Sequence, residues 1–178
     1  MLGTGVPKVN FGFTNNLTYK NLRLDVVVQG QAGGKLVNVQ KVDLLNPITQ
    51  GNVLNQVITD TWSPENTSGT IPARSFYGNT HGGFVNSRFI ESSDFLRLKN
   101  VTLTYSIPAT ILKNIGIAGF DIYVNAQNLA TLTKYSGLDP EIGNLVTNSQ
   151  QNRNVARGID FNAYPVSTMF LLGGRLTF

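Results

Sequence analysis

Five stretches of this chain, near residues 6–19, 21–31, 95–107, 118–129 and 166–178, repeat apolar side chains with a period of two. The joins between them are by turns very short and very long. Period two marks a strand with two unlike faces. Val9, Phe11, Phe13, Leu17 and Tyr19 alternate with polar residues or glycine, as do Leu22, Leu24, Val26 and Val28 after a tight Lys20-Asn21 turn. Val101, Leu103, Tyr105 and Ile107 continue the pattern up to Pro108, whose missing N–H ends a ladder. Phe120, Ile122, Val124 and Ala126 form the fourth set, and Phe170, Leu172, Leu176 and Phe178 the fifth. The long joins span about 32–94 and 130–165. A soluble sandwich has no reason to sort its connections by length, whereas an antiparallel barrel across an outer membrane puts short turns on one side and long loops on the other. The pattern predicts an all-β fold, an antiparallel transmembrane β-barrel segment with two long extracellular loops.

Five strands are too few to close such a barrel, which needs about eight. Bare backbone groups at an open edge cost several kcal/mol each in hydrocarbon. The expectation is therefore a chain spanning 1–178 as the C-terminal part of a larger barrel.

Composition narrows function. Asp, Glu, Lys and Arg make up only 13% of the residues, and the net charge of +4 is scattered without a basic run, so nucleic acid is not an expected partner. Cysteine is absent and His81 is the single histidine, set in the Gly-rich stretch 79–83. No thiolate site, triad or multi-histidine metal centre can be assembled from that set. Gly3-Thr4-Gly5 lacks the further glycine and the helix of a dinucleotide fingerprint. Asp139 and Glu141 alone are a weak basis for calcium. A non-enzyme with no cofactor and no metal is expected. Residues 1–20 lack the basic start and apolar core of a secretion signal, so the chain is expected to be either cytosolic or the downstream piece of a longer precursor.

Four blocks carry a family resemblance. They are Trp62-Ser63-Pro64-Glu65-Asn66, the run Leu96 to Pro108 (LRLKNVTLTYSIP), Ile122 to Leu129 (IYVNAQNL) and Lys134 to Glu141 (KYSGLDPE). In this order they resemble the C-terminal barrel portion of SusC/RagA-type TonB-dependent outer-membrane transporters of Bacteroidetes. The resemblance implies a barrel of about 22 strands around a plug domain. It further implies a SusD-like surface lipoprotein over the outer mouth, energy delivered by TonB through a missing N-terminal part, and uptake of oligosaccharide or peptide. This chain departs from the family in lacking the plug, the TonB-contacting box and most strands. It also implies that the barrel assembly machinery reads the last strand, with Phe170, Leu172, Leu176 and Phe178 as the signal, and that the chain resides in the bacterial outer membrane.

Within that frame the alternation turns one set of side chains toward a water-filled lumen. Arg23, Asp25, Asp121, Tyr123, Asn125, Gln127 and Arg175, with Lys8, belong to it and are candidates to bond a solute or the plug. The opposite set meets the lipid bilayer, with Tyr19, Tyr105 and Phe178 at the periplasmic interface, where aromatic rings are favoured. Arg97 and Lys99 share the parity of outward Val101, so either they rise above the hydrocarbon or a bulge reverses their face. In the loops Trp62, Tyr77 and Tyr135 are candidates to stack on a solute, and the competing expectation for such rings is a small core that keeps each loop folded. A short helix is expected near Leu54 to Thr61, ended at Ser63-Pro64. The rival to the importer is a secreted soluble β-sandwich that binds polysaccharide through loop aromatics. It requires the apolar stripe to be covered.

Overall fold

A computed structural model of the chain describes residues 2–46, 51–73, 86–113, 116–141, 158–161 and 163–178. His81 and Tyr77 lie outside them. The elements run β1 (Val9–Tyr19), β2 (Leu22–Ala32), β3 (Lys35–Asn38), α1 (Val39–Leu44), α2 (Asn55–Thr59), a 3₁₀ turn (Ser87–Phe89), β4 (Ile90–Ser92), β5 (Phe95–Ser106), α3 (Ala109–Leu112), β6 (Gly119–Thr133), β7 (Ile159–Asp160) and β8 (Met169–Thr177). They fall into two compact units.

One unit, residues 8–32, 94–134 and 165–178, is a five-stranded sheet in the order β1-β2-β5-β6-β8, antiparallel throughout. Each strand pairs with the next one along the chain that belongs to this sheet. A two-residue turn, with Lys20 at φ +53°, makes the β1–β2 hairpin, and the Asn21 amide donates to the Ser106 carbonyl at 2.8 Å across the same end. Among the described residues β1 and β8 each have a single neighbour, so both edges are unpaired there.

The register sorts the two faces into rows. On one face Leu17, Leu24, Leu103, Val124 and Leu172 line up across all five strands, and Asn15, Val26, Val101, Ala126 and Phe170 form the next row. Tyr19, Leu22, Tyr105 and Ile122 occupy the row beside the short turns. This face is uncovered: Leu172 is 78% and Phe170 71% exposed. At Gly30 on the same face the Phe11 ring lies where a side chain would stand, 2.5 Å from an added Cβ, so the aromatic covers the bare glycine backbone. A β-sandwich would bury these residues against a second sheet, whereas here they are exposed. No helix among the described residues is long and apolar enough to cross a membrane, which bears only on helices.

The other unit, residues 1–7, 33–93 and 135–164, is made from the two long connections and the start of the chain. Its three-stranded sheet has the order β4-β3-β7, antiparallel between β3 and β4 and parallel between β3 and β7. Val42 and Leu45 pack with Val57, Ile71 and Phe89 in an apolar core, bordered by Val53. Asn38 caps α1, its side-chain oxygen accepting from the Lys41 N–H at 2.9 Å. The helix expected near Leu54 to Thr61 is a single turn, Asn55–Thr59, and the chain then folds back so that Thr61 bridges Ile71. Asn66 locks this return by donating to the Thr59 and Thr61 carbonyls at 3.2 and 3.1 Å. The long connections thus carry a folded module of their own rather than featureless loop.

Candidate functional site

The second face of the five-stranded sheet collects the sequence-predicted polar set. Asn16, Asp25, Thr102 and Asn125 share one row, Thr18, Arg23, Thr104 and Tyr123 the next, and Ser106, Asp121 and Arg175 a third. A hollow of about 310 Å³ opens over them, lined by Arg23, Asp25, Asp121, Tyr123 and Arg175 together with Asn100 and the hydroxyls of β5. Asn125 lies in the first of these rows and Gln127 in the adjoining one, opposite Asn100, and neither lines the hollow. Lys8 precedes the first strand, its N–H donating to the Ala32 carbonyl at 2.9 Å.

Short polar side chains at alternate positions can reach across a strand gap of about 4.5–5.5 Å. Arg23 Nε donates to Asp25 Oδ2 at 2.9 Å, and the Asn16 amide donates to Asp25 Oδ1. The Asn125 amide donates to Asn100 Oδ1 at 2.6 Å and to Thr102 Oγ1 at 2.7 Å. Asn125 Oδ1 is buried and accepts no hydrogen bond among the described residues. Asp121 and Arg175 are direct cross-strand partners, yet no ion pair joins them. The hollow therefore presents an unpaired carboxylate and an unpaired guanidinium on a wall of hydroxyls and amides.

Tyr123 is held over Gly173: a Cβ at that glycine would lie 2.4 Å from the ring's Cζ and from its hydroxyl oxygen. The row beyond carries Leu171, and the next Met169, so this face turns partly apolar toward β8.

The open question at Arg97 and Lys99 is resolved by a bulge. Pairing passes from Asn100 directly to Leu98 against both neighbours, leaving Lys99 outside the register, while β6 skips Asn128 and Leu129 between Gln127 and Ala130. Asn128 takes φ +51° there, and its amide donates to the Ser167 carbonyl at 3.1 Å. Beyond the bulge parity reverses: Leu98 and Leu96 join the apolar face, and Arg97 and Phe95 join the polar one. Arg97 is 3% exposed, its Nε donates to Thr131 Oγ1 at 2.8 Å, and its guanidinium stands 5.3 Å from the Phe95 ring centre. Alternation read straight through the strand misplaces this arginine, because a one-residue insertion leaves good alternation on both sides. The break also lets β6 continue to Thr133.

In the loop unit the stacking expectation for Tyr135 is overturned. Its ring is 6% exposed and its hydroxyl donates to Asp160 Oδ2 at 2.6 Å, so it is a core residue with no face to offer a solute. Burial, followed by the Asp160 carboxylate, raises the Tyr135 hydroxyl far above the ordinary tyrosine value. Asp160 is buried too, and its other oxygen accepts from the Ala163 N–H at 3.0 Å. Trp62 stays partly exposed. Next to Tyr135, Ser136 donates its N–H and hydroxyl to Glu91 at 2.8 and 2.7 Å, and Lys41 Nζ meets the same carboxylate at 3.0 Å. Burial alone would raise the Glu91 carboxyl, but the bonds from Ser136 and Lys41 outweigh it and hold the group below its ordinary value. Asp139 Oδ1 accepts from the Glu141 N–H at 2.8 Å, closing the turn around Pro140. No cluster of three or more potential metal ligands occurs among the described residues.

At the last strand Phe170, Leu172 and Leu176 lie on the apolar face, and Phe178, just past β8, is 90% exposed.

With this geometry in hand, the relatives are informative. No protein-family model matches the chain. The TonB-dependent receptor P26 of Formosa agariphila is 30% identical over 179 residues, covering all of this chain and 18% of that protein. The TonB-dependent receptor P3 of the same organism is 29% identical over 178 residues, all of this chain and 17% of the relative. The TonB-dependent receptor SusC of Bacteroides thetaiotaomicron is 31% identical over 172 residues, 96% of this chain and 15% of SusC. The RagAB peptide importer, solved in a "closed-closed" state, superposes on 99% of this chain with TM-score 0.81 and 26% identity, over 18% of the solved chain. In its "open-open" state the TM-score is 0.75 over 97% of this chain. The chain thus spans less than a fifth of the length of the relatives it matches. Over its whole length it is similar to SusC-type TonB-dependent receptors, and its five-stranded antiparallel sheet matches a fragment of the RagAB importer.

Proposed function

We propose that residues 1–178 form barrel wall and external loops of a TonB-dependent outer-membrane nutrient importer that takes up oligosaccharide or peptide together with a SusD-like lipoprotein. The observation that carries this reading is the sorting of the sheet: exposed leucine, phenylalanine and valine rows on one face, and hydroxyls, amides and paired or opposed charges on the other. Water on one side and acyl chains on the other is the environment that such a sheet suits. Both long connections leave the sheet at the end where Gln31, Phe95 and Thr133 pair, and both short joins lie at the other end. In an outer-membrane barrel the former is the external end and the latter the periplasmic one. The remaining strands, the plug and the TonB contact belong to sequence beyond these residues, and the last strand, with Phe170, Leu172, Leu176 and Phe178, serves as the barrel assembly signal. Asp121, Tyr123 and Arg175, with the Arg23–Asp25 pair, line the passage. Support for a peptide cargo comes from the RagAB peptide importer, and the oligosaccharide cargo and the lid partner rest on the family resemblance alone.

The test is uptake by cells expressing the whole receptor, with and without tonB. Import of labelled oligosaccharides or peptides should vanish without TonB, and a lipoprotein should copurify with the receptor. Uptake indifferent to TonB, or recovery of the receptor in the soluble fraction, refutes the reading.

A further inference from the structure

The loop unit holds a second hollow, of about 270 Å³, remote in sequence from the polar rows of the sheet. At roughly 30 Å³ per water it takes the place of about nine waters, the room of a small ring compound rather than of an ion. Leu44 and Leu54 supply its apolar lining. Gln40 and Gln56 supply two primary amides. The Gln56 amide makes a long 3.4 Å contact to Asp60, and no hydrogen bond engages the Gln40 side chain, so both retain donors and acceptors. The remaining wall is pre-organised. Lys41 Nζ is fixed by Glu91 at 3.0 Å and by Ser136 Oγ at 3.3 Å, and the Asn38 amide contacts the same Ser136 oxygen at 3.4 Å while its oxygen caps α1.

Charge decides the ligand class. Lys41 is the single ionic group in the lining, and the Glu91 carboxylate already balances it. A phosphate, sulfate or carboxylate would have to displace that partner, and an ammonium would meet no carboxylate in the wall. What the lining complements is an uncharged molecule that donates and accepts hydrogen bonds in several directions and also has an apolar face. A sugar ring has that combination, with hydroxyls around its rim and C–H groups on its faces.

We infer that this hollow is a subsite for one ring of a neutral oligosaccharide, with Gln40 and Gln56 bonding its hydroxyls. The inference rests on the importer reading for the reason a solute reaches the loops. It is tested on the whole receptor, purified in detergent, against an array of neutral oligosaccharides, with an N-acetylated, C-amidated hexa-alanine as the uncharged peptide control. At least one glycan should bind, and Q40A and Q56A should each weaken it about tenfold, the size of one lost hydrogen bond near the upper end of its range. Both residues lie outside the apolar core, so an unchanged unfolding midpoint should accompany the loss. Absence of glycan binding, glycan binding indifferent to both substitutions, or equal weakening of peptide binding overturns the inference. TonB-dependent uptake of peptides alone would do so while leaving the importer reading intact.

Discussion

Tyr123 and Gly173 face each other across the last two strands of the sheet, and the phenol ring occupies the space in which any side chain at 173 would begin. Glycine weakens a strand because it is flexible and packs nothing. Here the aromatic neighbour covers the exposed backbone and turns that weakness into a fixed ring position above the polar hollow. The two residues should therefore be coupled. In the whole receptor, Gly173→Ala should destabilise by about 1–3 kcal/mol, the usual cost of overpacking. In a Tyr123→Ala background the same change should be neutral or stabilising. Urea midpoints of the four proteins measure this, and additive effects would remove the coupling.

Facing dictates tolerance to charge. Leu172→Arg sits in the row Leu17, Leu24, Leu103, Val124 and should cost about 2–4 kcal/mol at mid-bilayer depth, abolishing the heat-modifiable folded band of the receptor on gels. Leu171→Arg, one residue away on the opposite face, should preserve that band. Equal damage from both would mean that the faces are not lipid and lumen.

The bulge can be probed at Asn128. Its φ of +51° suits glycine or asparagine and penalises a branched side chain. Asn128→Val should destabilise by about 1–2 kcal/mol plus the lost bond to Ser167, whereas Asn128→Gly should lose little more than that bond. Thermal melts of the two variants rank them, and equal melting points would contradict the strained backbone.

Removing the Tyr135 hydroxyl leaves the buried Asp160 oxygen without its 2.6 Å donor. Tyr135→Phe should cost about 1–3 kcal/mol and expose the loop unit to limited proteolysis between residues 135 and 164. An unchanged cleavage pattern would show that this pair does not hold the unit together.

The Glu91 cluster sets an acid limit. Because its folded carboxyl is held below the ordinary glutamate value, its contribution is complete above about pH 4.3 and is lost as pH falls further, through the lowered value. Glu91→Gln should flatten that part of the stability curve, read as protease resistance of the loops against pH. A curve unchanged by the substitution would contradict the assignment.

Periodicity located the strands and assigned Arg23, Asp25, Asp121, Tyr123 and Arg175 to one face, because a pleated chain leaves no other outcome for strict alternation. At Arg97 it left two outcomes open, because cations at an apolar parity mark either a position above the hydrocarbon or a bulge, and only the pairing shows that Lys99 is the inserted residue. Periodicity was blind to Tyr135, since a loop aromatic looks the same whether it faces solvent or a buried Asp160 25 positions along the chain. The signal that was available was an asparagine, Asn128, a residue type that tolerates positive φ, inside an otherwise alternating run. The loop unit's sheet, made from segments of 2 to 4 residues, is too short for any period to register.

The most direct measurement uses the absence of cysteine in this chain. Single cysteines at Leu172 and Asn125, placed in the whole receptor with no other reactive thiol, are labelled with bimane and reconstituted into liposomes of brominated lipid. The label at 172 should be quenched by the bromine-bearing acyl chains and spared by aqueous iodide, and the label at 125 should show the reverse. Equal quenching at both positions, or quenching of 172 by iodide alone, would contradict the assignment of the leucine face to the bilayer.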